Sequence, residues 1–369
     1  MEIYVVKEND TLDHIAQQYG VTAASVAYVN QIPYPYALAI GEALLIDTGQ
    51  DEAMTHYRQA NGYAYPYISP WVLNATLPYL SNLLVFSYGF TPDGKLLPPA
   101  ASDEYMRQAA LEAGRNSVLT LTPFGEDGRF SNVLIHQMLS NPVSRERLID
   151  ELLTSMEEKG FSGVDVDFEY ILVDDRDLFT DFVASLRSVM NDNGYRVCVA
   201  LAPKTSSDQK GLLYEGKDYR GLGEAADEVL LMTYEWGYTY GPPMAVAPLN
   251  KVRQVVEYAL TEIMPDKILL GIPNYGYNWS LPYVRGESKA VTIGHVEAIQ
   301  IAIANDAEIL FDELAQSPYF TYENEGIIHE VWFEDVRSIR KKYDLIEEFD
   351  LRGIGVWQIM RFFRAMWLL

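Results

Sequence analysis

From residue 62 onward, short and nearly continuous apolar runs alternate with segments of helical spacing, and this alternation constrains the fold more than any other feature of the chain. Such runs suit parallel strands buried on both faces, because each crossover lays a helix over the sheet. The pattern predicts strands at 63–69, 83–90, 117–123, 163–170, 196–202, 228–234, 267–273 and 353–358. Helices are predicted at 102–113, 144–159, 177–190, 249–264 and 333–349, while the helix after the first strand is poorly signalled. Eight strands interleaved with helices predict an α/β fold, a closed (β/α)8 barrel over 62–369. A doubly wound open sheet is the alternative, weakened because no G-x-G-x-x-G follows an early strand. Residues 278–332 are too long for a simple loop. Within them, 319–322 and 327–332 flank Asn324-Glu325-Gly326, which predicts a hairpin in a small β subdomain inserted after strand seven.

The fourth predicted strand carries the chemistry. Asp165-Val166-Asp167-Phe168-Glu169 places three carboxylates at alternate positions, so the acids share one face and Val164, Val166 and Phe168 the other. Three acids facing a core are costly unless proximity pushes their pKa values apart and leaves one protonated near neutral pH as a general acid. A half-exposed antiparallel strand with an acidic face is the bland reading. In a barrel, however, the C-terminal ends of the strands form the mouth where catalytic groups collect. Glu169, furthest along, is expected to be the most accessible of the three, and Asp165 to lie deeper, hydrogen-bonded or protonated.

Composition narrows the partners. The net charge of −24 argues against nucleic acid and anionic membranes. The single Cys198 excludes an internal disulfide, and five scattered His residues form no metal-binding spacing, so neither metal nor cofactor is expected. Asp174, Asp175 and Asp177 read as acids at a helix N-terminus rather than as ligands. The N-terminus opens directly into Glu2-Ile3-Tyr4-Val5-Val6-Lys7, without a basic region and apolar core, so no secretory signal is expected, and no apolar run is long enough to span a membrane.

Residues 1–48 read as a separate β-α-α-β module, with Thr11 and Thr22 at helix starts and Gly20 closing the first helix. Residues 49–61 are polar and read as a linker. The module resembles a LysM domain over its whole length, through Tyr4-Val5-Val6, Asp10-Thr11-Leu12, Ile15-Ala16, Tyr19-Gly20-Val21, Asn30, Gly41 and Leu44-Leu45-Ile46; Asn9 stands where that family usually has Gly. The resemblance implies binding of N-acetylglucosamine-containing glycans between the loops 9–12 and 32–38, with Asp10, Thr11, Leu12, Ile32 and Pro33 as candidate contacts.

The barrel in turn resembles glycoside hydrolase family 18, whose motif is written D-G-x-D-x-D-x-E. Here Ser162 replaces the first Asp, and Asp165, Asp167 and Glu169 supply the other acids. Phe86-Ser87-Tyr88-Gly89-Phe90, Leu231-Met232-Thr233-Tyr234, Gly271-Ile272-Pro273-Asn274-Tyr275-Gly276 and Gly355-Val356-Trp357 extend the likeness over the whole barrel. Together with the LysM-like module and Tyr234-Glu235-Trp236-Gly237-Tyr238, they resemble most the spore cortical fragment-lytic branch. Many family members have Asp where this chain has Glu235.

The resemblance implies retaining, substrate-assisted hydrolysis of N-acetylglucosaminyl linkages in peptidoglycan, for which family 18 departs from the usual two-carboxylate scheme. Glu169 would be the proton donor, Asp167 would orient the substrate acetamido group, and Asp165 would balance its charge. Tyr234 would donate to the acetamido oxygen and Trp357 would floor the sugar site. Tyr88, Met232, Glu235, Asn274, Tyr275, Tyr277 and Trp279 are further candidates for the cleft. The absent signal fits deposition in the spore coat from the mother cell. A chitinase or endoglycosidase on another N-acetylglucosamine polymer, and a non-catalytic barrel lectin, stay open as alternatives.

Overall fold

Two threonines set the helices of the N-terminal module. In the computed structural model, which describes residues 1–49, 58–124 and 128–369, Thr11 Oγ1 accepts from the His14 N–H at 3.2 Å and starts α1 (Leu12–Tyr19). Gly20, at φ 69°, ends it. Thr22 starts α2 (Ala23–Asn30) in the same way, and strands β1 (Glu2–Val5) and β2 (Ala43–Ile46) pair antiparallel beside the helices. Val6, Leu12, Ile15, Ala16, Val26, Ile32, Leu44 and Ile46 form the module's own core.

Asn30 ties that core together. Its Nδ2 donates to Val26 O (2.9 Å) and Leu45 O (2.8 Å), and its Oδ1 accepts from the Leu45 N–H (2.7 Å). Asn30→Ala leaves buried backbone groups unpaired, at a cost of roughly 2–4 kcal/mol. We expect the loss to appear as faster amide exchange confined to residues 1–48, with kcat of the barrel on short substrates unchanged. Uniform loss of protection across the barrel as well would contradict that localisation.

The barrel is built from β3 (Gln59–Ala64), β4 (Asn82–Phe90), β6 (Asn116–Leu121), β7 (Gly163–Val166), β8 (Arg196–Leu201), β9 (Glu228–Leu231), β10 (Ile268–Pro273) and β16 (Gly353–Trp357), all parallel. It closes through β3 against β4, and the two-residue β5 (Leu96–Leu97) hangs antiparallel on β4. Helices α3 (Pro70–Thr76), α4 (Glu104–Glu112), α5 (Asn132–Ser140), α6 (Pro142–Lys159), α7 (Arg176–Asp192), α8 (Tyr219–Ala225), α9 (Leu249–Ala259) and α11 (Val336–Glu348) lie in the connections, and α12 (Arg364–Leu368) ends the chain. Leu83, Val85, Val164, Val166, Val199 and Ile272 face the helical layer, while Tyr63, Leu84, Phe86, Cys198, Ala200, Leu230 and Leu269 fill the barrel interior.

Several elements differ from their predicted bounds. The first barrel strand begins at Gln59, inside the segment assigned as linker; residues 50–57 of that segment lie outside the described residues. Its polar start disguised it: Gln59 Nε2 donates to Glu228 (2.7 Å), and Asn61 Oδ1 accepts from Asn82 Nδ2 (2.7 Å). The fourth strand's ladder stops at Val166, although the chain beyond it keeps its alternation. The long excursion after β10 is a five-stranded antiparallel sheet ordered β12 (Val291–Ile293), β11 (Gly276–Ser280), β15 (Ile327–Trp332), β14 (Ser317–Asn324), β13 (Leu310–Asp312), with helix α10 (His295–Ala304). The expected hairpin is β14–β15. Glu325 and Gly326 both have positive φ (51° and 77°), the turn that matches strand twist.

The N-terminal module packs on this sheet and on the last segment of the chain. The Ile309 N–H donates to Ile40 O (2.8 Å), and Arg337 reaches Gly41 O at 3.2 Å. Gly41 allows the approach, since a Cβ there would fall 1.9 Å from Ile309 O. Gln31 bridges Phe362 O and the Arg364 N–H, and the Arg364 guanidinium lies 3.8 Å from the Tyr28 ring centroid. Among the described residues no helix is long and apolar enough to cross a membrane, and no group of three His, Cys, Asp or Glu side chains could hold a metal ion. Asp175 instead pairs with His136 at 2.8 Å.

Candidate active site

Strand alternation carries through 164–169. Val164, Val166 and Phe168 turn outward, Phe168 stacking on Phe179 with centroids 5.5 Å apart. The three acids turn into the barrel. The Asp167 N–H donates to Leu121 O (2.9 Å), which keeps the chain extended past the end of β7.

Burial deepens from Glu169 to Asp165. Asp165 is fully buried beside Cys198, Tyr63 and Thr120, and among the described residues no hydrogen bond of good length and angle reaches either carboxylate oxygen. Burial, then the charge of Asp167, pushes its carboxyl up to about 7, with Cys198, Tyr63 and Thr120 opposing. Asp167 is pushed up to about 6 by burial, against the nearby Lys217 ammonium. Burial and the Asp167 charge push Glu169 up to about 8, so it holds its proton at neutral pH. Crowded carboxylates that cannot all ionise are how a fold keeps an acid protonated.

The C-terminal end of β9 supplies the opposite wall. Tyr234 enters the barrel beside Gly271, where a Cβ would stand 2.8 Å from its ring; bare backbone makes the space. Burial holds the Tyr234 phenol well above its ordinary pKa, so it is a donor throughout the physiological range. Glu235 has φ 67°, and one of its oxygens accepts from both Tyr275 OH and Tyr277 OH, the latter at 2.8 Å. Trp357, at the end of β16, meets Phe86 edge-on at 4.7 Å and Tyr65 at 6.0 Å.

These groups enclose a cleft of ≈ 640 Å³. Asp167, Glu169, Met232, Tyr234, Glu235, Tyr277 and Trp357 all line it. A size in this range and an aromatic lining with a few convergent polar groups suit a sugar ring. A groove of ≈ 530 Å³ continues past Tyr65 and Phe86 over Tyr67, Pro98 and Pro99, and a smaller recess of ≈ 170 Å³ opens beyond Glu169 toward Trp236. A separate polar cavity near Glu228 and Arg352 lies at the opposite end of the barrel.

Four candidates lie elsewhere. Tyr88 points outward, its hydroxyl donating to Asp103 at 2.5 Å, because the β4–β6 register shifts between Val85 and Tyr88 and reverses the alternation that Phe86 would set. Asn274 is buried and its amide donates to Gln358 O and Arg361 O, bracing the loop after β16. Tyr275 stands behind Glu235, and Trp279 is buried with its indole N–H on Gly241 O (2.8 Å). In the N-terminal module, Leu12 and Ile32 are core residues, Thr11 is the helix cap and Asp10 accepts from Tyr4 OH and the Lys7 N–H. Of those five candidates, Thr11 and Pro33 are exposed, beside Tyr34 at 84%.

The cleft also holds residues that the motifs did not single out as contacts: Tyr65, Phe86, Phe124, Phe130, Tyr170, Leu213 and Tyr238. Tyr65 and Phe86 fall inside the predicted strands 63–69 and 83–90, but the first strand ends at Ala64, so the predicted bounds did not mark Tyr65 as a mouth residue, and Phe86 is mid-strand. Lys217, beneath the acids, lies in a loop without pattern and had no signal.

Comparison with known proteins accords with this geometry. Residues 55–361 match glycosyl hydrolases family 18, and residues 4–47 match the LysM domain. The cortical fragment-lytic enzyme of Bacillus subtilis (strain 168) is 38% identical, with the alignment covering 100% of this chain and 97% of that one. The crystal structure of the Bacillus megaterium QM B1551 spore cortex-lytic enzyme SleL superimposes with a TM-score of 0.92 at 32% identity, covering 99% of this chain and 96% of that one. SleL of Bacillus cereus gives 0.92 at 28% identity with the same coverage. A LysM domain joined to such a barrel implies an N-acetylglucosamine-containing glycan as the ligand. This chain belongs to family 18 of the glycosyl hydrolases, with a LysM domain ahead of its catalytic barrel.

Proposed function

We propose that the protein is a retaining, substrate-assisted β-N-acetylglucosaminidase that cleaves peptidoglycan of the spore cortex, acting on cortical fragments during germination. One observation carries the mechanism: Asp167 and Glu169 come from the one extended segment that follows β7 and line one cleft, while the only other carboxylate lining it among the described residues, Glu235, is engaged by two tyrosines. A glycosidase using an enzyme nucleophile needs a second free carboxylate across the sugar from the acid. Here the substrate's own acetamido oxygen takes that role and attacks C1 as the C1–O bond to the leaving sugar breaks. Glu169 passes its proton to that departing oxygen. Asp167 accepts the acetamido N–H and stabilises the positive oxazolinium ion, and Tyr234 donates to the acetamido oxygen. Water, deprotonated by Glu169, then opens the ring with configuration retained.

The cortical assignment is supported by relatives that are spore cortex-lytic enzymes by name and align along the whole chain. We assign residues 1–48 as the glycan-binding module and the barrel as the catalytic domain, with the protein held at the spore coat and cortex after synthesis in the mother cell. The assignment is tested by digesting cortex fragments, intact cortex and chitin in parallel, with mass spectrometry of the reducing ends. N-acetylglucosamine reducing ends from cortex material are the expected result. Release from chitin alone would replace cortex with a chitinase reading.

The raised pKa values of the three acids predict a bell-shaped kcat/KM. Activity rises as the Asp165–Asp167 pair gives up its shared excess proton, with a limb near 6, and falls as Glu169 loses its own near 8. These limbs belong to the cluster as a whole. A pH–rate series on a soluble chitooligosaccharide checks both; activity still rising at pH 9 would remove Glu169 as the acid.

A further inference from the structure

Among the described residues, Lys217 is the one cation buried beneath the three acids, and no contact with substrate is available to it. It lies in the segment between β8 and α8 with no exposed surface. Its Nζ donates to Phe168 O (2.5 Å) and Ala200 O (3.1 Å), and sits 5.0 Å from the Phe179 ring centroid. No carboxylate lies within ion-pair distance of it among the described residues. The segment is clamped there: Lys204 Nζ donates to Lys217 O at 3.0 Å, and a Cβ on Gly216 would lie 2.4 Å from Ile171 O.

A buried ammonium bonded only to carbonyls is expensive unless opposite charge is close by. The charges it faces are Asp167, Glu169 and Asp165. Phe168 O is the peptide oxygen between the two acids that line the cleft. We infer that Lys217 is a positioning residue of this active site, anchoring the Asp167–Glu169 backbone through Phe168 O and setting by its charge how many protons the three acids share. The inference rests on the roles proposed for Glu169 and Asp167.

The electrostatics agree with that geometry. Burial brings the Lys217 ammonium down to about 8, which leaves it charged at neutral pH. Its charge opposes the rise of both Asp167 and Glu169. The other charged group facing Glu169 is Glu235, and the phenols of Tyr65, Tyr170 and Tyr234 around it stay neutral because their pKa values are raised.

Three variants separate the two roles. Lys217→Met removes charge and donors, Lys217→Gln keeps a donor, and Lys217→Arg keeps the charge. With the charge gone, the acids hold their protons to higher pH, so the Met and Gln substitutions are expected to move both limbs of the pH–rate profile upward by about one unit. We also expect them to lower kcat at pH 7 at least tenfold, and Lys217→Arg to return the limbs toward wild type. Lys217→Met and Lys217→Gln profiles with unmoved limbs would reduce Lys217 to a cap on two carbonyls and overturn the inference, whatever happens to kcat.

Folding failure of the variants is bypassed in the wild-type protein by carbon-13 NMR of ε-labelled lysine. Of the three lysines buried among the described residues, Lys204, Lys217 and Lys342, the Lys217 signal should be charged at pH 7 and should be the one that loses its proton at lower pH in Glu169→Gln. A Lys217 that is neutral at pH 7, or indifferent to Glu169, sinks the idea. Full activity of Glu169→Gln would instead overturn the acid assignment itself, so the two failures are distinct.

Discussion

Glu169→Gln is expected to lower kcat on cortex fragments and chitooligosaccharides by about 10³-fold, the scale of a lost general acid. The side chain is nearly isosteric and keeps its place in the cleft, so oligosaccharide binding should change little. What disappears is a transferable proton that burial and the Asp167 charge hold on the carboxyl up to about 8. The defect should therefore follow the leaving group. An aryl glycoside with an acidic phenol needs little protonation and should lose far less rate than a sugar leaving group. Equal losses on both substrates would mean that the variant damages the site rather than the proton transfer.

The same substitution should change stability in the opposite sense. Glu169 is raised in the folded protein above its unfolded value of 4.5, so the fold binds its proton more tightly than the unfolded chain does. Its contribution is complete below the unfolded pKa and is lost as pH rises through the folded value near 8. The substituted amide cannot ionise. The variant should thus lose part of the decline in stability that the wild type shows between about pH 4.5 and 8, read from denaturant unfolding across that range.

The acids of the fourth strand were legible because period two is a property of the extended chain, and it survives even where the ladder ends at Val166. The buried strands were legible for a related reason: apolar runs such as 268–273 have helices on one side and barrel interior on the other. Tyr88 was misplaced because a register shift is a pairing event between two strands, and no pattern within 86–90 announces it. Asn274, Tyr275 and Trp279 follow a strand whose chain turns straight into the antiparallel sheet at Gly276, so their distance along the sequence says little about which face they take. The N-terminal module shows the other limit. Leu12 and Ile32 fall in the loops that the LysM resemblance led one to expect as glycan contacts, yet a domain of this size needs their side chains for its core. Lys217 is the extreme case, since its meaning comes wholly from a tertiary contact with Phe168 O.

Asp167→Asn is the second large effect, and it distinguishes electrostatic stabilisation from simple positioning. Asp167 lines the cleft, and its Oδ1 is buried without a hydrogen-bond partner among the described residues; the proposed mechanism gives this carboxylate the substrate's acetamido N–H. An amide can still orient that group through its oxygen but carries no charge to set against an oxazolinium ion. Loss of one preorganised electrostatic contact of this kind typically costs about 10²–10³ in kcat, and we expect that loss with KM changed only slightly. The pH profile supplies the independent check. The Asp167 charge helps to raise Glu169, so its removal should bring the alkaline limb to lower pH. Removal of the Lys217 charge should move that limb the other way. An Asp167→Asn enzyme with depressed kcat and an alkaline limb left near 8 would show that the three acids do not titrate as one cluster, and the substrate's acetamido group would need another partner for its charge.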